Sequence, residues 1–310
     1  IAIGGNYIKD VAAALDNRND TFSGEISVQE LMLAGMALNN NSVKMLADNN
    51  HVGVSYSFEN QNETADRGEI VINADLEREG ERLDVLFDVL PSTLYLDSRE
   101  WKLLPATIGI EGKDINVNSF EVLSGDQRIY VYGGTSATQN DTLTLSLDRF
   151  DLAVINPLLG SDLGVRGAAT GNVKLTSPMH SKGLLADILC DSTYIAGEPL
   201  GTVTLRSAWN EEFERFDISA RNEMEGKANL HATAKLTPKT RMLDAKLTLD
   251  SLSITYAEPF LTDVFSEMKG TISGDIFAEG PMDMLEISSS GTRLENAMLR
   301  IDYTNVPYYA

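Results

Sequence analysis

The chain holds a single cysteine, two tryptophans and three histidines in 310 residues, and its nine prolines stand apart from one another. One cysteine, Cys190, excludes an internal disulfide framework and any cysteine-cluster metal site. Leu184, Ala186 and Ile188 share its strand phase, which makes it a small core residue. Positive charge is also short. With 25 Lys and Arg against 46 Asp and Glu the formal charge is −21, which argues against nucleic acid and against adsorption to an anionic membrane surface. Any dealing with lipid must therefore be apolar. No apolar run approaches the roughly 20 residues of a membrane-spanning helix, so we expect no transmembrane helix here. Pro, Gly and Ser never gather into a linker, so we read residues 1–310 as one continuous body. Its opening, Ile1-Ala2-Ile3, has neither initiator Met nor signal sequence and reads as part of a longer protein.

Constellations that carry chemistry are missing too. His51 and His180 follow turns, and His231 lies on a polar strand phase with Asn229, Thr233 and Lys235. There is no nucleophile elbow, phosphate-cradling loop, zinc spacing or complete calcium loop, and Asp16–Asp20 has calcium-like oxygens in the wrong order for an EF-hand. Carboxylates abound, but no pair is singled out. Asn19, Asn40, Asn62 and Asn140 fit a glycosylation sequon by pattern alone, as chance allows in a chain rich in Asn and Thr. The expectation is a non-enzymatic protein with no catalytic residue, no metal ligand and no cofactor.

What is present is period-two alternation from Gly24 onward, which places every second side chain on one face of a strand. Val52, Val54, Tyr56 and Phe58 alternate with small polar residues, as do Leu143, Leu145 and Leu147 with Thr142, Thr144, Ser146 and Asp148. Leu243, Ala245, Leu247 and Leu249 do the same, until the phase slips at Asp250-Ser251 and Leu252, Ile254 and Tyr256 continue in the opposite register, as across a bulge. Turn residues such as Asn49-Asn50 and Glu79-Gly80 close the units. Tyr7–Leu15 and Val28–Leu38 could be helical by propensity, and we read the second as strand. The fold class is all-β.

One stretch recurs. Asp148–Pro178 (DRFDLAVINPLLGSDLGVRGAATGNVKLTSP) is answered by Asp250–Pro281 (DSLSITYAEPFLTDVFSEMKGTISGDIFAEGP), with Pro157 matched by Pro259, Gly167 by Gly270 and Gly171 by Gly274. Such a repeat implies a structural module. In the second copy Phe260, Leu261, Val264, Phe265 and Met268 fall at helical spacing, which predicts about three turns of helix ended at Gly270 and followed by a strand from Thr271. The first copy is a weaker helix.

The strands carry Leu, Ile, Val and Ala on one face and charged or hydroxyl residues on the other. A closed sandwich could bury the apolar face against itself. An open trough would leave it accessible, as a binding surface. We assign Leu143, Leu145, Leu147, Val203, Leu205, Leu230, Leu247 and Leu249 to that lining.

The segments Trp101–Pro105 (WKLLP), Ile115–Phe120 (INVNSF), Gln127–Gly133 (QRIYVYG), Asp141–Leu147 (DTLTLSL), Phe150–Leu152 and Asn156-Pro157, followed by a glycine-spaced strand and a proline, resemble the C-terminal region of TamB-like proteins of the bacterial envelope, relatives of the AsmA-like family, in their Bacteroidetes form. The likeness covers most of Leu83–Tyr303. It implies an elongated, curled, mostly antiparallel sheet forming an open hydrophobic groove (a β-taco) with one or two short helices, in the periplasm, anchored to the inner membrane by a segment outside this chain. It also implies passage of phospholipid acyl chains toward the outer membrane or, alternatively, help in assembling outer-membrane β-barrel proteins with a β-barrel partner. A third reading, from the residues alone, is a closed sandwich with an adhesive role. Carbohydrate binding is disfavoured by having only Trp101 and Trp209 as large flat platforms.

Overall fold

The computed structural model of the chain describes residues 2–3, 6–18, 21–33, 36–61, 65–136, 141–159, 163–176, 183–261 and 264–309. It is all-β, every described ladder is antiparallel, and the contacts group into two units, residues 1–149 with 174–182 and residues 150–173 with 183–310. His180, Asn19, Asp20, Asn62 and Asn140 lie outside the described residues.

In the first unit β1 (Ala2–Ile3), β2 (Asn6–Asp16), β3 (Thr21–Leu33), β4 (Met36–Asp48), β5 (His51–Glu59), β6 (Arg67–Glu79) and β7 (Arg82–Val89) follow one another, and each strand from β1 to β6 pairs with its successor. Tyr7–Leu15 thus lies in β2, and the described residues of Val28–Leu38 lie in β3 and β4, since the ladder overrides a weak local preference. Then come β8 (Ser92–Leu96), β9 (Arg99–Leu103), β10 (Ala106–Glu111), β11 (Asp114–Ser124), β12 (Gln127–Thr135) and β13 (Thr142–Asp151). β10 returns to pair with β7, while the β8–β9 hairpin pairs with β6 on one side and β11 on the other. Register keeps one face apolar across nine strands, where Phe22, Ala47, Val52, Ala74, Phe87, Ile108, Val117, Gly133 and Leu143 stand opposite one another in turn. The best-buried part of this face is Val89, Leu103 and Ala106, ringed by Ile70, Ile72, Ile108, Phe120 and Val122.

The second unit opens with a 3₁₀ segment, Leu152–Leu159, and β14 (Arg166–Thr176). β15 (Gly183–Ile195), β16 (Glu198–Asn210), β17 (Arg215–Glu223), β18 (Leu230–Thr237), β19 (Met242–Ser253), β20 (Phe265–Pro281), β21 (Glu286–Ile301) and β22 (Val306–Tyr309) then pair each with the next. Ile188, Leu205, Ala220, Ala232, Leu247 and Ile276 line up on one face. The row beside it, on the other face, is Leu189, Thr204, Arg221, His231, Thr248 and Asp275. Cys190 is half-buried opposite Val203, on the apolar face as its phase predicts.

Between β19 and β20 the three-turn helix expected from apolar spacing is not formed. A 3₁₀ turn, Ile254–Ala257, runs into a four-residue helix, Glu258–Leu261, and the strand has begun by Phe265. Phe265 pairs with Ile301 and Met268 with Leu299 inside β20, which shifts register between Phe265 and Glu267 and again between Lys269 and Thr271. The apolar positions that look helical therefore belong to three different elements, Leu261 to the short helix, Val264 to a turn and Phe265 and Met268 to a strand whose register shifts between them.

Gly270 is therefore no helix cap. With φ +107° it lies in β20, where an added Cβ would stand 2.8, 2.7 and 2.7 Å from Glu295 O, Asn296 O and Ala297 Cα. Gly167, with φ +138°, meets Asp191 O, Ser192 O and Thr193 Cα at 2.9, 3.2 and 3.1 Å. Positions 191–193 and 295–297 are 104 apart, and their middle residues, Ser192 and Asn296, both take left-handed φ, +50° and +51°. The modules also match where they begin. Arg149 and Ser251, 102 apart, have φ +50° and +53°, and the second sits in the expected bulge, between Leu249 and Leu252.

Burial is thin throughout. The chain exposes 19068 Å², whereas two separate compact globules of half its mass would expose about 15,400 Å² in total.

Candidate functional site: an apolar pocket in the second unit

β19 brings Leu247 and Leu249 to the apolar face. The bulge at Ser251 then adds a residue, so Leu252 and Ile254 return to the same side instead of facing away. Leu200, Leu249 and Leu252 form a buried cluster against which Ile195, Val203, Leu230, Leu247, Tyr256, Ile272 and Ile276 pack. Ile254, Met268 and Ala297 form a second, which shares Ile272 and adds Ala257, Leu261, Phe265 and Leu299. These clusters border an open cavity of ≈ 480 Å³ that Leu163 also reaches, lined among the described residues by apolar side chains apart from Ser253 and Tyr256.

Polar groups, most of them outside the lining, hold the frame. Asn222, 1% exposed, donates through Nδ2 to Leu200 O at 3.0 Å, and its Oδ1 accepts from Asn229 N at 2.9 Å and Leu230 N at 2.8 Å. It thereby fixes the start of the strand carrying Leu230 and the carbonyl of Leu200, two lining positions. Ser253 Oγ accepts from Thr255 N at 3.3 Å and caps the 3₁₀ turn. Glu258 Oε1 accepts from Met268 N at 2.7 Å, and Thr255 Oγ1 donates to Met268 O at 3.2 Å, so the helical segment is tied to β20. Tyr256 Oη donates to Pro199 O at 2.7 Å, on β16. Burial, with Glu198 as a lesser influence, holds the Tyr256 phenol above its ordinary range, so it stays a donor.

Charge is kept on the opposite face. Lys246 at 2.9 Å and Thr248 at 2.8 Å hold the Asp275 carboxyl below its usual range, and Lys269 and Arg300 do the same for Glu267. Among the described residues no group of three or more His, Cys, Asp or Glu is placed to hold a metal ion, and no helix is long and apolar enough to cross a membrane.

Of the eight lining residues assigned from sequence, Leu230, Leu247 and Leu249 line this pocket and Val203 packs on its cluster. Leu205 shares their face, in the same cross-strand row as Leu247 and three strands from it. Leu143, Leu145 and Leu147 belong to the first unit, half-buried opposite Gly133, Val131 and Ile129. Thr144, assigned to the outer polar face, is only 4% exposed. Sequence reading left out Leu200, Leu252, Ile254, Tyr256, Met268 and Ile272. The phase slip at Asp250-Ser251 was the available signal, because counting through a bulge places Leu252, Ile254 and Tyr256 inward.

Compared with models of known protein families, with curated proteins and with solved structures, the chain has no match.

Proposed function

We propose that the apolar face of this protein holds the hydrocarbon chains of membrane lipid out of water, and that its work is the passage of phospholipid across the cell envelope. The pocket carries this reading. Its ≈ 480 Å³ falls in the size range of small-ligand sites, and it offers almost nothing but aliphatic surface. An acyl chain left in water costs about 0.8 kcal/mol per methylene, so ten methylenes amount to about 8 kcal/mol that such a lining removes. Half-exposed apolar rows continue from the pocket along the sheet, so neighbouring positions are similarly favourable and a chain can shift between them.

Further support comes from spacing. β15 and β20 are five ladder steps apart, roughly 24 Å in a flat sheet, yet Ile195 and Ile276 join one cluster. That favours a sheet curled about its apolar face. The resemblance to TamB-like envelope proteins, and with it a periplasmic location, belongs to the same proposal.

The test is organic extraction of the purified protein followed by mass spectrometry. Phospholipid in wild type, sharply reduced in Leu247→Asp but retained in Thr233→Asp on the exposed phase of β18, is the expected result. Extracts free of lipid in every form would remove the proposal.

A further inference from the structure

Tyr256 differs from the rest of the pocket lining in what it does with its side chain. Its hydroxyl donates to Pro199 O at 2.7 Å, in an exposed bond at the edge of the pocket. β16, which carries Pro199, lies three ladder steps from β19, the strand that leads into Tyr256. The bond thus joins two walls of the cavity, Ile195 and Leu200 on one and Leu249, Leu252 and Ile272 on the other.

The backbone on either side of Tyr256 is fastened independently of this bond. Ile254 is 5% exposed and packs with Met268 and Ala297. Glu258 and Thr255 hold the two backbone polar groups of Met268. The ring can therefore turn about its own side-chain torsions while the segment that bears it stays in place. Beyond the packing of the ring on Leu200, Leu249 and Leu252, the hydrogen bond to the carbonyl adds about twofold to tenfold in favour of the closed position. On opening, both partners recover water.

We propose that Tyr256 is a side-chain gate: latched to Pro199 it narrows the mouth of the pocket, and released it widens a lateral entry through which an acyl chain passes into and out of the cavity. The inference rests on the hydrocarbon-binding reading above and adds how access to that site is controlled.

The probe is cis-parinaric acid, an 18-carbon fatty acid that fluoresces in apolar surroundings, mixed in stopped flow with wild type, Tyr256→Phe, and Tyr132→Phe as a control in the first unit. Tyr256→Phe keeps the ring and deletes the latch. It is expected to raise both association and dissociation rates by about twofold to tenfold while the dissociation constant moves by less than either rate, and Tyr132→Phe is expected to change none of them. Unchanged rates in Tyr256→Phe with the probe still bound would overturn the gate and leave the hydrocarbon reading standing. A faster dissociation alone, with affinity lost in proportion, would make the hydroxyl a ligand contact and also overturn it. Failure of wild type to bind the probe would remove the hydrocarbon reading and the gate together.

Discussion

Asn222 shows how much of this pocket depends on one side chain that never touches its interior. Three backbone groups, Leu200 O, Asn229 N and Leu230 N, take their hydrogen bonds from it. A buried group left without a partner costs about 1–3 kcal/mol. Asn222→Ala is expected to lower stability by about 2–4 kcal/mol in urea unfolding, and Asn222→Leu, which restores volume but no bond, should do no better. A loss under about 1 kcal/mol would mean that water replaces the amide. Cys190 offers a second measurement at this scale. Burial, with a smaller contribution from Asp191, raises its thiol above the usual range, so less of it is thiolate at a given pH. At pH 8 a disulfide reagent should modify it several-fold more slowly than a free thiol, and at the free rate once urea has unfolded the chain.

At the scale of elements, the strands and the bulge at Asp250-Ser251 were legible, and the irregular start of β20 was not. Alternation alone marks β5, β13 and β19, because a half-buried sheet imposes a period of two on its sequence. It failed at Phe260–Met268, where a short helix, a turn and the irregular start of β20 follow one another and their apolar positions together look helical. The eight lining residues were half legible as a site, since phase tells which face a residue is on but not which faces meet. Ile195 and Ile272 come together through the course of the whole unit, and no local pattern encodes that. The repeated glycines were visible as a repeat, but their reason was hidden. A Cβ on Gly274, φ +128°, would approach Thr292 Cα to 2.7 Å. Gly274→Ala is therefore expected to destabilise by more than about 2 kcal/mol, with loss of the pocket's probe binding. Gly53→Ala, where the nearest atom is Asn73 Oδ1 at 3.4 Å and φ is ordinary, should change stability by less than about 1 kcal/mol.

For the whole molecule the governing facts are a charge of −21 and, in each of the two units, an apolar face whose residues are mostly only half-buried. The first opposes compaction through self-repulsion, which salt screens. Raising NaCl from 20 to 200 mM should lift the melting temperature by about 2 °C or more, and no change would indicate that the paired carboxylates on the polar face already balance the field locally. The second predicts that the native protein, without denaturant, brightens N-phenyl-1-naphthylamine, and that unfolding in urea abolishes the signal instead of creating it. A compact protein with a closed core leaves the dye dark when native and brightens it only in partly unfolded states.

The pairing of each strand from β15 to β22 with its immediate successor bears on how the chain is made. Contacts local in sequence close short loops and form quickly. A polypeptide emerging N-terminus first from a ribosome or a translocation channel could add each new strand to the edge left by the last, needing no partner that has yet to be synthesised. The β7–β10 pairing interrupts that order in the first unit, because it waits for the intervening β8–β9 hairpin. Synthesis and folding can otherwise keep step, so at any moment little more than one apolar strand is exposed to proteases or to other copies of the unfinished chain.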